Sequence, residues 1–203
     1  MSRTAADEKI TLTSILRPEA FRCESGRGVV VAGGPELVVD VVAANDAWSR
    51  DLPDAAKILA RAARAAYGRV AAVSQRGPAG ARVTVTFLLS DDRHLRDLNR
   101  TFRGHDRATN VLSFPPGDDA VFGPEAGTGD LGDVALAWEM VAREADAYGI
   151  ALGDHVAHLS VHAILHLLGY DHESADEAEA MESIERDVLA DLAIADPYVS
   201  ERP

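Results

Sequence analysis

The spacing of apolar residues changes segment by segment along the chain. RVTVTFLLS (Arg82 to Ser90) alternates with period two at its start, which predicts a strand with one partly exposed face. ELVVDVVA, a β-branched run ending near Asn45, TNVLSF (Thr109 to Phe114) and GDVALAW (Gly132 to Trp138) read as further strands. PDAAKILARAARAAYG has helical spacing, with Pro53 suited to the first turn and Gly68 to the stop. DDRHLRDLNRTF reads as a short helix capped by Ser90 or Asp91. EMVAREADAYG, a stretch from about Asp154 to Leu168, and ADEAEAMESIERDVLADL complete the helices. There are no internal repeats. The order predicts an α/β (α+β) fold: a small mixed sheet of about four strands packed with five to six helices. Before Pro35 the pattern is short and broken. ESGRG and AGGP punctuate it, and VVVA (Val29 to Ala32) is at most an isolated strand. Residues 1–35 are therefore read as a flexible extension and 36–203 as one domain. PPGDDAVFGPEAGTG, rich in Pro and Gly, reads as a loop.

Composition narrows the class. A chain of 203 residues, 47% hydrophobic, supports one sizeable core. The lone cysteine, Cys23, excludes an intrachain disulfide, and in its polar stretch it reads as inert. No apolar run approaches the roughly 20 residues of a membrane span, and MSRTAADEKITLTS lacks the apolar core of a signal peptide. A soluble, cytoplasmic protein without a membrane partner is expected.

His162 and His166 lie four residues apart on a predicted helix. Four residues advance about 6 Å and slightly over one turn, so both imidazoles share a face. That spacing suits one tetrahedral ion with nitrogens at about 2 Å. A straight helix cannot easily supply a third ligand. His158 stands about 12 Å before His166 along the axis, and it and His155 are read as site rim or surface. The chain turns instead: Gly169 falls where a left-handed helix-terminating residue is expected, and Tyr170-Asp171 can bring His172 back. Three histidines leave a fourth coordination position open, which marks a catalytic zinc site with one ion per chain.

Two chemistries use such a site. H-x3-H-x2-G-x2-H is also metzincin protease spacing, but those enzymes need glutamate after the first histidine, and here that position is Ala163. Alanine cannot take a proton, which disfavours the protease. Charge favours a nuclease. The whole chain carries −13, which by itself argues against a nucleic-acid binder. Yet from Ala55 to Asn110 eleven basic residues face four acidic ones, net +7, leaving −20 for the remainder. A local basic region in an acidic chain is the footprint of a phosphate track, or else a solvated arginine face. Lys57, Arg61 and Arg64 fall on one helix face at i, i+4 and i+7. These three, with Arg107, Asn110 and Ser113, are candidate RNA contacts, although Asn110, Ser113 and likewise Asp133 are equally packing positions. Asp171 either orients its neighbouring ligand or caps the turn.

At these residues the sequence resembles the YbeY family of bacterial endoribonucleases. LNRTFRGHDRATNVLSFP (Leu98 to Pro115), LGDVALA (Leu131 to Ala137) and VHAILHLLGYDHE (Val161 to Glu173) carry the likeness, with Met181 and DPYV (Asp196 to Val199) in support. It spans roughly Glu36 to the C-terminus. The family usually has glycine where this chain has Ala163, and the N-terminal extension exceeds what the likeness needs. The resemblance implies a single-domain α/β metalloprotein that cleaves single-stranded RNA in ribosomal RNA maturation and ribosome quality control. Its implied partners are ribosomal RNA, the small ribosomal subunit and an Era-type GTPase. It also places Arg103 at the family's arginine, where a planar, permanently charged fork would stabilise the transition state beside His162. A zinc-stabilised assembly factor without turnover is the non-enzymatic alternative. Because residues before about Pro35 offer little core, a truncation starting near Gly34 should keep both zinc and RNA cleavage, checked by metal content and gel assay.

Overall fold

The computed structural model describes residues 21–24, 36–74, 82–116 and 128–199. Among these, the elements run β1 (Phe21–Glu24), β2 (Glu36–Ala43), α1 (Asp46–Asp51), α2 (Ala55–Ser74), β3 (Arg82–Ser90), α3 (Asp92–Arg103), β4 (Val111–Phe114), β5 (Thr128–Ala137), α4 (Trp138–Tyr148), α5 (Leu152–Leu167) and α6 (Ala175–Asp191). The strands form one sheet in the order β1-β2-β3-β5-β4. β2, β3 and β5 are parallel, while β1 and β4 close the two edges antiparallel.

Period-two alternation sorts the sheet into two faces. Leu37, Val39 and Val41 of β2, Val83, Val85 and Phe87 of β3, and Val134 and Leu136 of β5 meet α2, α5 and α6 in the main core. Val42, Leu88, Ala135 and Ala137 point the other way, onto Leu95 and Leu98 of α3. α5 lies within the main core, and ten of its sixteen residues are buried.

The architecture agrees with the mixed α/β sheet expected from the sequence, with three differences. The sheet has a fifth strand, β1, which lies within residues 1–35 and pairs Phe21 through Glu24 with Ala43 through Asp40. An edge strand needs only backbone partners, so its sequence need carry little apolar pattern. The α2 helix runs through Gly68 to Ser74. Gly68 costs about 1 kcal/mol there relative to alanine, and burial of Tyr67 and Val70 on either side offsets it. The short α1 was not foreseen. Asn45 caps it, accepting from the Ala47 N–H at 2.9 Å, and Trp48 anchors it by donating Nε1–H to the Ser90 carbonyl at 2.9 Å. The Asp91 cap of α3 is as expected, accepting from the His94 N–H. Val29 to Ala32 and the bulk of the Pro/Gly-rich loop lie outside the described residues.

β5 carries a bulge where its register against β3 shifts, between Asp130 and Gly132. Gly132 has φ +113, and a Cβ there would lie 2.3 Å from the Phe114 carbonyl oxygen of β4. Backbone, not a movable side chain, fills that space. Gly132→Ala should therefore destabilise the protein by roughly 2–4 kcal/mol, read as a lower urea midpoint at unchanged m-value.

Candidate metal centre

The site forms at the C-terminal end of α5. The helix closes with a paired turn: the Gly169 N–H donates to His166 O and the Tyr170 N–H to Leu165 O, each at 3.0 Å. Gly169 has φ +91, the left-handed conformation expected of it. The reversal brings His172 back over the helix. Its ring centroid lies 5.6 Å from that of His162 and 5.0 Å from that of His166. One ligand nitrogen from each of the three falls within 4.8 Å of the others. The structure thus brings together all three residues expected as ligands.

Hydrogen bonding decides which nitrogens are offered. His162 Nδ1 stands 2.8 Å from Glu185 Oε1, and His166 Nδ1 stands 3.0 Å from the Tyr170 carbonyl oxygen. Both partners only accept, so both Nδ1 atoms carry the proton. In the neutral rings the two Nε2 atoms then present lone pairs to each other at 3.1 Å. Neither can donate, and a cation satisfies both. Nitrogens bound at about 2.0–2.1 Å to a tetrahedral ion stand roughly 3.3 Å apart, close to that spacing. Burial, then the neighbouring His162 and His172, push the His166 imidazole below its ordinary value of 6.5, which keeps it neutral and able to ligate. The donor set and its spacing fit zinc.

Glu185 was missed in the sequence. It is fully buried on α6 and accepts from His162, from His158 Nε2 at 3.2 Å and from the Tyr198 hydroxyl. Burial alone would raise its carboxyl, but these hydrogen bonds outweigh it and hold it at about 2. A signal existed: Glu185 follows Met181 by four residues and precedes Val188 and Leu189, so it is a carboxylate on the apolar stripe of its helix.

Beside the histidines opens a cleft of ≈ 530 Å³. Arg103, Asn110, Ser113 and Asp171 line it together with His162, His166 and His172. Arg103 ends α3, where Gly104 caps the helix at φ +73, and its Nη2 donates to the Ser113 carbonyl at 3.1 Å. Asn110 donates to Glu144 at 2.9 Å, and Glu144 also binds His155 Nε2 at 2.9 Å. His155, expected at the rim or surface, is instead only 4% exposed, because Glu144 supplies its partner inside the fold. His158 is half-buried over Glu185. Asp171 Oδ1 accepts from the His172 backbone N–H at 2.8 Å. Ala163 is buried in the main core and is absent from the cleft lining.

The other basic residues lie elsewhere. Lys57 and Arg61 line a separate hollow of ≈ 410 Å³ with Ile58, Asp154 and Leu192. Lys57 pairs with Asp54, Arg61 donates to Leu192 O, and Arg64 donates to Leu37 O. Arg69 pairs with Asp187, Arg82 with Glu36, Arg96 with Asp106 and Arg100 with Asp97. Asp54, Asp187 and Glu36, all outside the window, therefore pair with three of its cations, while Asp106 and Asp97 belong to the window and are already counted in its +7. Arg107 is exposed in the turn before β4, outside the cleft lining. Arg76 lies outside the described residues.

The chain is similar to several known proteins. A family model described as endoribonuclease YbeY matches residues 53–193. A protein of Azorhizobium caulinodans with that name is 48% identical over 163 residues, covering 80% of this chain and 96% of its own. Another, from Rhodopseudomonas palustris, is 44% identical over 162 residues, covering 80% and 81%. A third, from Methylocella silvestris, is 50% identical over 130 residues, covering 64% and 71%.

The centre implies a two-stage acid response in the metal-free protein. A histidine with a lowered folded value contributes stability that is present above 6.5 and lost as pH falls through that folded value. Glu185 contributes stability above 4.5 that is lost as pH falls toward about 2. Chelator-treated protein should lose unfolding free energy in both windows. His166→Gln should shrink the upper loss and Glu185→Gln the lower one, as read by denaturant titration across pH. Some of the lower loss should persist in Glu185→Gln, because burial raises the Glu144 carboxyl but hydrogen bonds from His155 and Asn110 outweigh it and hold it low as well.

Proposed function

The chain belongs to the YbeY endoribonuclease family, and from that premise we propose that it is a zinc-dependent endoribonuclease acting on single-stranded ribosomal RNA. The observation that carries this reading is the three-histidine cluster sharing one cleft with Arg103. His162, His166 and His172 would hold one zinc ion per chain. When bound, that ion supplies a Lewis acid for a phosphate oxygen and a means of ionising water near neutral pH.

The chain's own residues supply the rest. The Glu185 carboxylate and the Tyr170 carbonyl orient two of the imidazoles, so two of the three donor atoms are arranged before any ion arrives. Arg103 is held at one edge by Ser113 O, which leaves the rest of its planar fork for a phosphate in the cleft. Its charge stabilises the negative charge that grows on phosphorus substituents as the bond breaks, and it stays protonated throughout. Asn110 and Ser113 would contact the strand in the cleft, with Arg107 beyond it. Lys57 and Arg61, by the separate hollow, and Arg64 on the same helix would meet phosphates further out. With Ala163 in the position that follows His162, the metzincin general base is lacking there, so casein should not be cleaved. In the cell we place this activity in the cytoplasm, on the small ribosomal subunit and alongside an Era-type GTPase.

Arg103→Ala should lower the cleavage rate of single-stranded RNA by about 10²–10³ while affinity falls far less, because its contact strengthens as charge develops. Nuclease-free protein that binds RNA but never cleaves it would favour an assembly factor. The double change Arg61→Ala with Arg64→Ala should flatten the salt dependence of binding by about one unit of slope per lost phosphate contact. An unchanged slope would assign that face to solvation.

A further inference from the structure

The C-terminal segment reaches the metal centre through one hydroxyl group. Tyr198 follows α6 and is 37% exposed, yet its hydroxyl points inward to Glu185 Oε2. Its position is set from several sides. Its backbone N–H donates to Asp196 Oδ1 at 2.8 Å, and the Arg186 guanidinium sits 5.3 Å from the centre of its ring. The ring meets His158 edge-on, with centroids 5.8 Å apart. Arg186 also lies 3.8 Å from Asp196, which closes a small tie between α6 and the segment after it.

The two oxygens of Glu185 divide the work. Oε1 takes the His162 Nδ1–H, while Oε2 takes His158 and Tyr198. An ionised carboxylate without solvent contact is tolerable only when its lone pairs are met. Without the tyrosine hydroxyl, Oε2 would keep only the His158 contact at 3.2 Å. The carboxylate would then be free to turn or admit water, and its pull on the His162 proton would weaken. That pull makes the opposite ring nitrogen a better ligand and fixes the ring plane.

We propose that Tyr198 is a positioning residue of the metal centre: its hydroxyl holds Glu185 in the orientation that presents His162 to the metal. Zinc affinity is therefore set in part by a side chain that is not among the residues lining the cleft. A tyrosine placed there for packing alone would be replaceable by phenylalanine, which covers the same apolar surface.

The inference rests on the three-histidine zinc reading, and one experiment separates the two. Zinc affinity of the full chain is measured by competition with a chromophoric chelator for wild type, Tyr198→Phe, Tyr198→Leu, Glu185→Gln and the Tyr198→Phe/Glu185→Gln double variant. Metal-free thermal unfolding establishes that each is folded, and the visible spectrum of the cobalt-loaded protein reports ligand geometry. Tyr198→Phe should weaken zinc about 10-fold and Glu185→Gln about 10–100-fold, the range for groups that orient a metal ligand. Tyr198→Leu should match Tyr198→Phe, since the hydroxyl is what matters. The double variant should be no worse than Glu185→Gln, because the two act in series, and the cobalt spectrum should shift in Tyr198→Phe. Wild-type affinity in Tyr198→Phe, or a loss confined to Tyr198→Leu, would overturn the proposal while leaving the zinc site standing. Additive losses in the double variant would also overturn it. A wild-type chain that binds no zinc would remove the metal reading itself and this inference with it. If Glu185→Gln does not fold, the comparison of phenylalanine with leucine at 198 decides alone.

Discussion

A carboxylate with no solvent exposure has to find its donors inside the protein, and around Glu185 that requirement joins three parts of the chain. The residue sits on α6, its partners His158 and His162 are on α5, and Tyr198 comes from beyond α6. α5 is itself packed in the main core, so the anchor that orients His162 is tied to the fold as a whole. Two of the three clustered histidines are held in this way. His162 is held through Nδ1 by a buried charge, and His166 through Nδ1 by a backbone carbonyl of the turn that ends its own helix. Both therefore turn their Nε2 atoms to one point, where a single cation would meet both lone pairs of the neutral rings.

Across the cleft a second set of constraints positions the side that carries Arg103. β4 is a short edge strand whose antiparallel pairing with β5 is made possible by Gly132, where the backbones approach too closely for any side chain. α3 packs on the opposite face of the sheet through Leu95 and Leu98 and ends at Arg103 with a left-handed glycine. Arg103 thus arrives in the cleft from one face of the sheet and the histidines from the other. Among the described residues, the remaining arginines of the basic stretch are spread over α2, β3, α3 and the turn before β4, and carboxylates pair with Arg69, Arg82, Arg96 and Arg100. An acidic chain can present a local positive group to a polyanion in this way without a broad basic surface. The charge that bears on the cleft is that of individual residues, and the window's net value of +7 does not measure it.

What the sequence determined by itself is what covalent geometry imposes over a few residues. A helix repeats every 3.6 residues, so His162 and His166 had to share a face. Only glycine adopts φ near +90 cheaply, so Gly169 had to mark the reversal that returns His172. Period two likewise sorted β3 between two faces before any partner was known. The tertiary structure decided everything that depends on which surfaces meet. Glu185 lies 23 residues from His162, and Arg61 donates to a carbonyl 131 residues away. Such pairings follow from how α2, α5 and α6 pack, and no local spacing encodes them. Gly68 shows the same limit from the other side. A residue that ends many helices is carried through this one because burying Tyr67 and Val70 outweighs its cost. His155, legible only as one more histidine on the face of α5, became a buried partner of Glu144 once α4 was laid beside it.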